Sequence, residues 1–323
     1  VNASEVSALF GENTYLSPFA LAQLKLGNEL PAKDEKMAKR GHKWERFICQ
    51  CAVDELNETA PEGIRYELVW LPEFCGIVNE KYPSLAATPD AMVVCYEPGY
   101  EPIGNDESRM CYKKILWYGP LETKKVHWQK RDEWEGEPPV GYLVQNQVQM
   151  LCCGATKGVV AGMISDDLSV SVLDLFEPLC NTIIEATTTF LENLHAGVLP
   201  PVDGHEATGR ALGSFYRAKG EAPMDLPEEL WHLPEELEQA KLDVKQAEEL
   251  VAELSNRLKV AMGEATTAVY PGGCINWKPQ GGNVTKLDVD TGLVEALVKA
   301  GIPYKAKVSA ETRVLRLTTK KEK

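Results

Sequence analysis

Positive charge is scarce in this chain. Its 34 lysines and arginines face 48 aspartates and glutamates, for a net charge of −14 over 323 residues. That balance excludes a surface that is basic all round, but not a local basic groove, because the distribution of charge matters more than its sum. Eleven acids stand against two lysines between Glu221 and Asn256, so this one segment carries nine of the fourteen excess negative charges. The nine cysteines include Cys49-x-Cys51 and Cys152-Cys153 but no CxxC pair. Their odd number and scattered spacing point to buried thiols in a reducing compartment, with a metal cluster as the competing reading. No apolar run reaches the length of a membrane span, and no secretory signal pattern is visible from Val1 onward. The expectation is a cytoplasmic protein with no membrane contact. With 44% hydrophobic and 25% charged residues, the composition is that of a globular protein.

The order of elements reads as α+β. Residues 3–11 predict a short helix with Ser4 as N-cap and Gly11 past its end, and Ser17-Pro18 opens a second helix closing at Gly27. Residues 34–55 predict a longer helix. Its apolar face is read as Met37, Trp44, Phe47, Ile48 and Cys51, with Lys36, Lys39, Arg40, Lys43 and Arg46 on the others. Those cations form either a solvated face or one that contacts phosphate. Alternation over 64–79 predicts two strands, Arg65–Trp70 and Phe74–Val78. Prolines and glycines between 96 and 112 predict a loop or a hairpin insertion. A run with Lys125, His127, Trp128, Lys130 and Arg131 is either an ordinary exposed loop or a site that touches a DNA strand by charge and stacking. A helix over 138–153, strands at 158–165 and 168–175, and a helix over 177–196 follow. Beyond Leu199-Pro-Pro201, Leu237, Ala240, Val244, Ala247, Val251, Leu254, Leu258 and Ala261 recur at alternating intervals of three and four. That spacing fits a coiled-coil seam or an amphipathic helix packed on its own domain. Strands at 268–278 and 284–288, a helix at 290–300 and a last strand at 308–317 complete the chain.

Chemistry concentrates between Pro89 and Gln149. Asp90 precedes the apolar strand Ala91-Met-Val-Val-Cys, and Glu122-Thr123-Lys124 follows Ile115-Leu-Trp-Tyr. Two carboxylates at strand ends repel unless a cation sits between them, and hard oxygen ligands suit Mg²⁺ or Mn²⁺. Strand alternation puts Lys124 on the face of Glu122, where an ammonium can orient or activate a water for attack on a phosphodiester. On the helix over 138–153, Gln145 and Gln149 share a face and Gln147 points elsewhere; Gln149 is read as surface polarity. His42 and Glu45 are three apart on one helical face, with His42 the weaker ligand candidate.

These residues resemble the PD…(D/E)xK nuclease pattern. More narrowly they resemble the viral recombinase group of lambda exonuclease and YqaJ-like proteins. The likeness is carried by Ala3-Ser4-Glu5-Val6, Gly41-His-Lys-Trp-Glu45, Ala86-Ala-Thr-Pro-Asp90, Glu122-Thr-Lys124 and Tyr142-Leu-Val-Gln145-Asn-Gln147, five elements in the family's order. It implies a restriction-endonuclease-like core, a central mixed sheet flanked by helices, over 1–216. An acidic linker and long helix would follow over 217–263, then a small α+β segment with a basic tail over 264–323. It implies Asp90 and Glu122 as ligands of Mg²⁺, with Mn²⁺ as a substitute, helped by the Thr123 carbonyl and by Glu45. Lys124 would position the attacking water, supported by Gln145. Ser4 would bind a terminal 5′ phosphate, and Lys43, Lys125 and Trp128 would contact DNA. The implied activity is exonuclease action from a 5′ end of double-stranded DNA, leaving a 3′ strand for a single-strand annealing protein. The implied assembly is a homo-oligomer, a ring of three.

Two other readings stand beside it. One keeps the chemistry and changes the substrate to single-stranded, nicked or flap DNA. The other is a non-catalytic nucleic-acid-binding scaffold on the same fold. The acid pair argues against the scaffold, since an idle site has little physical reason to keep two repelling carboxylates.

Overall fold

The computed structural model describes residues 1–30, 35–72, 75–102, 109–216, 223–280 and 312–319. The chain divides into two compact units, Val1–Gly220 and Glu221–Lys323. The first is built on a mixed five-stranded sheet in the order β1 (Arg65–Val69), β2 (Ala91–Pro102), β3 (Arg109–Val126), β4 (Lys157–Ile164) and β5 (Asp167–Asp174). All neighbours are antiparallel except β3 and β4, which are parallel. A parallel neighbour needs a crossover, and α4 (Val140–Cys153) supplies it. This is the expected α+β architecture, a central mixed sheet flanked by helices. The segment expected as a loop or hairpin insertion is the far end of the β2–β3 hairpin, paired out to Pro102 and Arg109.

The two faces of the sheet are covered differently. On one, α3 (Glu35–Glu58) lays Ile48, Cys49, Ala52, Val53 and Leu56 on Ala91, Val93, Leu121, Val159, Ala161 and Met163. Every sheet residue in that set is odd-numbered, as a period of two requires. Of the apolar face expected for this helix, Ile48 lies in the core and Cys51 packs against it, but the two aromatic residues stand outside. Trp44 and Phe47 are 38% and 53% exposed and meet edge to face at 5.7 Å, while Ala52, Val53 and Leu56 do the packing. Bulk drew the expectation to the aromatic residues, but the sheet surface accepts the smaller ones. The side chain of Met37 lies outside the described residues.

On the opposite side, α4 packs with α1 (Ala3–Val6) and α5 (Glu177–His195) around Val144, Val148, Leu151, Cys180 and Ile183. α2 (Pro18–Lys25) and α6 (Glu206–Phe215) close a smaller cluster through Phe19, Ala20, Ala207 and Ala211. Ser17 caps α2 by accepting from the Ala20 N–H at 3.1 Å. Ser4 does not cap α1. The N-cap is Asn2, whose N–H donates to Glu5 Oε2 at 2.7 Å, because the helix starts one residue before the serine can act. The strand expected over Phe74–Val78 is reduced to a bridge between Ile77 and Ala87 among the described residues.

The second unit contains α7 (His232–Met262) and a three-stranded sheet of β6 (Thr267–Tyr270), β7 (Gly273–Gln280) and β8 (Thr312–Thr319). The strand expected at 284–288 and the helix at 290–300 lie outside the described residues. No described helix is long and apolar enough to cross a membrane. Because the first unit owns its sheet and its clusters, a chain ending at Gly220 should melt cooperatively and keep helical circular dichroism. A broad, non-cooperative melt would place the boundary elsewhere.

Candidate active site

The site begins with strand register. Ala91 of β2 pairs with Leu121 of β3. The next residues outward are Asp90 on one strand and Glu122 on the other, two carboxylates near enough for the charge of Glu122 to act on Asp90. The regular pairing ends there, and the Asp90 N–H donates to the Leu121 carbonyl at 3.2 Å. Asp90 Oδ2 accepts from the Thr123 N–H at 2.8 Å and from the Thr123 hydroxyl at 2.7 Å. Glu122 is 3% exposed. Its Oε2 accepts from Gln149 Nε2 at 2.6 Å, and its Oε1 accepts from the Lys124 ammonium.

Electrostatics follow from this geometry. Burial, and after it the charge of Glu122, push the Asp90 carboxyl up to about 7, against the pull of the Thr123 hydroxyl and Lys124. Burial opposes the charge on Lys124, but the charge and hydrogen bond of Glu122, and then Asp90, outweigh it. The net shift of Lys124 is upward, so it is an ammonium at neutral pH. Its Nζ lies 5.2 Å from the centre of the Tyr142 ring. Tyr142 in turn lies 5.5 Å from Trp134. Trp134 is seated on Gly162, where a Cβ would come within 2.3 Å of the indole. Gly162 is the β4 partner of Lys124. Glycine is therefore required there by close approach, and its bare backbone lets an aromatic pair brace the lysine.

Thr123, Lys124, Lys125, Glu45, Tyr142 and Gln145 share the lining of a cleft of about 560 Å³. Asp90 and Glu122 are joined to it through Thr123 and Lys124. Ser4 lines the same cleft, exposed rather than capping a helix. Gln145 is 8% exposed, and its amide has no hydrogen-bond partner among the described residues. Lys125 donates to the Ser165 carbonyl at 2.6 Å and stands 5.3 Å from the Trp44 ring. Lys43 and Trp128 are exposed and stand outside the cleft lining. Within the basic run, Lys130 pairs with Glu133 and Arg131 with Asp167.

The donor set suits a divalent cation of the Mg²⁺ type, which is commonly held by one or two carboxylates and keeps several waters. Asp90 and Glu122 supply two acids whose mutual repulsion a cation would relieve, and Asp90 Oδ1 has no partner among the described residues. Glu45 lines the cleft with its Oε1 bonded to His42 Nδ1 at 2.8 Å. No group of three His, Cys, Asp or Glu side chains is arranged to hold a metal among the described residues. Burial pushes the thiol of Cys49, beneath the Asp90–Thr123 corner, up to about 12.

One residue of the site was misread from sequence. Gln149 is fully buried and holds Glu122, where surface polarity was expected. The available signal was its i, i+4 relation to Gln145, which puts both on one face of α4.

No family model and no curated protein matches this chain. Among solved structures it is similar to LHK-Exo, an alkaline exonuclease from Laribacter hongkongensis, and to LHK-Exo in complex with dAMP. Each shares 16% identity at a TM-score of 0.42, over 61% of this chain and 88% of that one. At that score the likeness carries no argument, and the functional reading rests on the residues of this chain.

The raised Asp90 carboxyl gives a test with a definite sign. Its folded-state pKa lies above the ordinary aspartate value, so the native state binds the proton more tightly than the unfolded state does. Stability from this group therefore falls as pH rises from the ordinary carboxylate range towards 7. Asp90→Asn keeps an oxygen to accept from Thr123 and removes the charge. It should raise the melting temperature of the metal-free protein by about 3 °C or more at pH 8, and by less at pH 5. Added Mg²⁺ should raise the melting temperature of the wild type and not of the variant. A variant that melts like wild type at both pH values, with and without Mg²⁺, would remove the repulsive pair.

Proposed function

We propose that this chain is a metal-dependent deoxyribonuclease acting as an exonuclease. One observation carries the proposal. The end of the β2–β3 ladder brings Asp90 within reach of the charge of Glu122, and a charged lysine bonded to Glu122 stands on the wall of an open cleft. Asp90, Glu122 and the Thr123 carbonyl would hold Mg²⁺, or Mn²⁺ in its place, with Glu45 near by. Bound there, the cation supplies Lewis acidity towards a phosphoryl oxygen and lowers the pKa of a ligated water.

The other steps belong to the protein. Lys124 holds Glu122 in place and offers fixed positive charge where negative charge builds on the phosphate. Bracing by Tyr142 limits the reorientation needed as that charge develops. The Gln145 amide can orient a water or a phosphate oxygen without adding charge. Ser4 and Lys125 would meet the strand inside the cleft, with Lys43 and Trp128 outside it, by charge and stacking. Resemblance to the viral recombinase group supplies the finer reading. In it the substrate is a duplex end, digestion runs from the 5′ terminus in a ring of three, and the 3′ strand passes to an annealing protein.

The test is Mg²⁺-dependent digestion of end-labelled duplex, single-stranded and nicked DNA, with and without a 5′ phosphate. Duplex labelled at the 5′ end should release label first. Preference for the single strand or the nick would change the substrate and keep the chemistry. Glu122→Gln should abolish cleavage and leave DNA affinity nearly intact. Lys124→Ala should slow single-turnover cleavage by about a hundredfold to a thousandfold, whereas Lys125→Ala should mainly weaken affinity. Equal, mild losses in the two lysine variants would reduce Lys124 to a phosphate contact.

A further inference from the structure

The active-site reading leaves the 31-residue helix α7 without a role. Its apolar residues form an unbroken heptad pattern. Leu237, Val244, Val251 and Leu258 take the a positions, and Ala240, Ala247, Leu254 and Ala261 the d positions. Among the described residues nothing covers the larger ones. Leu237 is 57% exposed, Val244 59% and Val251 64%, with Leu254 and Leu258 also exposed. Eight seam positions over a helix about 46 Å long form a face that water does not favour.

The composition of this seam selects an occupant. Three of the four d positions are alanine, while every a position is Leu or Val. A parallel pair would stack a on a and d on d, alternating bulky layers with three Ala–Ala layers that leave voids. An antiparallel pair stacks a on d. With the helices fully overlapped, the layers become Leu237 with Ala261, Ala240 with Leu258, Val244 with Leu254, and Ala247 with Val251. Four layers, each formed twice by symmetry, then place one large side chain against one equal or smaller.

The flanking charges make the same choice independently. In the antiparallel register Glu236 faces Arg257 of the second copy, twice by symmetry, and Asp243 faces the uncharged Leu250. On the other flank Lys241 faces Met262 and Glu248 faces Ser255. No like charges meet. The parallel pair would also join Glu236 to Lys241, but it would set Asp243 against Glu248 twice. We propose that α7 is a self-association helix that pairs antiparallel with α7 of a second copy of this chain, through a seam of alternating large and small residues. A two-fold axis crosses such a pair near Glu249, so each seam is closed by one partner and both helices satisfy each other.

The experiment uses the full chain and measures its mass by sedimentation over a range of concentrations. Val251→Asp puts a carboxylate in the seam at a position exposed in the single chain, so it should fold with an unchanged circular dichroism spectrum. It should also lower the oligomeric mass twofold. Glu236→Arg or Arg257→Glu alone sets two pairs of like charges together and should weaken association by about threefold to tenfold. The two combined should restore it. A parallel pair would not show that rescue, because there Glu236 meets Lys241. Should Val251→Asp leave the mass of the assembly unchanged, or should the double swap fail to restore association, the pairing is wrong.

Discussion

Two carboxylates forced together by strand register are the constraint around which the first unit is arranged. The pairing of Ala91 with Leu121 leaves Asp90 and Glu122 close together at the end of the β2–β3 ladder, where the charge of one acts on the other. Removed from water, such a pair is costly in its fully charged form. Every neighbouring polar contact answers that cost. The Thr123 N–H and hydroxyl hold Asp90, and Gln149 and Lys124 hold Glu122. Tyr142, Trp134 and the bare backbone of Gly162 hold the lysine. The proposed cation completes the same logic, since positive charge between the acids turns repulsion into coordination.

α4 shows how much polarity a fold will bury to keep such a site in place. Four of its five consecutive residues from Gln145 to Gln149 carry amides, and all are buried. Gln145 lines the cleft. Asn146 donates to the Val159 carbonyl at 3.3 Å and to Gln149 Oε1 at 3.2 Å. Gln147 ties down the turn after β5 through the Asp174 carbonyl and the Phe176 N–H, at 2.9 and 2.8 Å. Gln149 reaches Glu122. A helix used only for packing would carry aliphatic residues here. The bonded amides of Asn146, Gln147 and Gln149 fix rotation and height along the sheet, because slippage would leave several donors unsatisfied together. Gly158 belongs to the same fit, as a Cβ there would lie 2.3 Å from the Asn146 amide oxygen.

The two units spend their apolar residues differently. In the first, helices bury aliphatic residues such as Val93, Leu121, Val159 and Val148. In the second, α7 presents leucines and valines to solvent among glutamates. Its acidic surface keeps the helix soluble, and its seam is continuous enough to hold a partner. Much of the chain's negative charge therefore sits on a segment remote in sequence from every proposed catalytic residue, and says little about how the cleft treats a polyanion.

Local spacing determined a good part of this protein. The alternation of Ala91 to Cys95 and the run before Glu122 marked strands, and the two-residue step from Glu122 to Lys124 placed acid and ammonium on one face. The heptads of α7 were legible because helical periodicity is a property of the chain itself. Contacts between elements were not legible. Nothing in the one-dimensional order says that Ala91 meets Leu121, that Gln149 reaches Glu122 across a crossover, or that Trp134 needs a glycine at 162. On α3, Ile48 and Cys51 were placed correctly on the buried side, but Trp44 and Phe47 were not, and only the shape of the sheet surface decided it. Sequence carries what repeats within one element. Register, burial and the charge that burial shifts arise only when separate elements are pressed together, because they depend on distances through space that the chain's order does not contain.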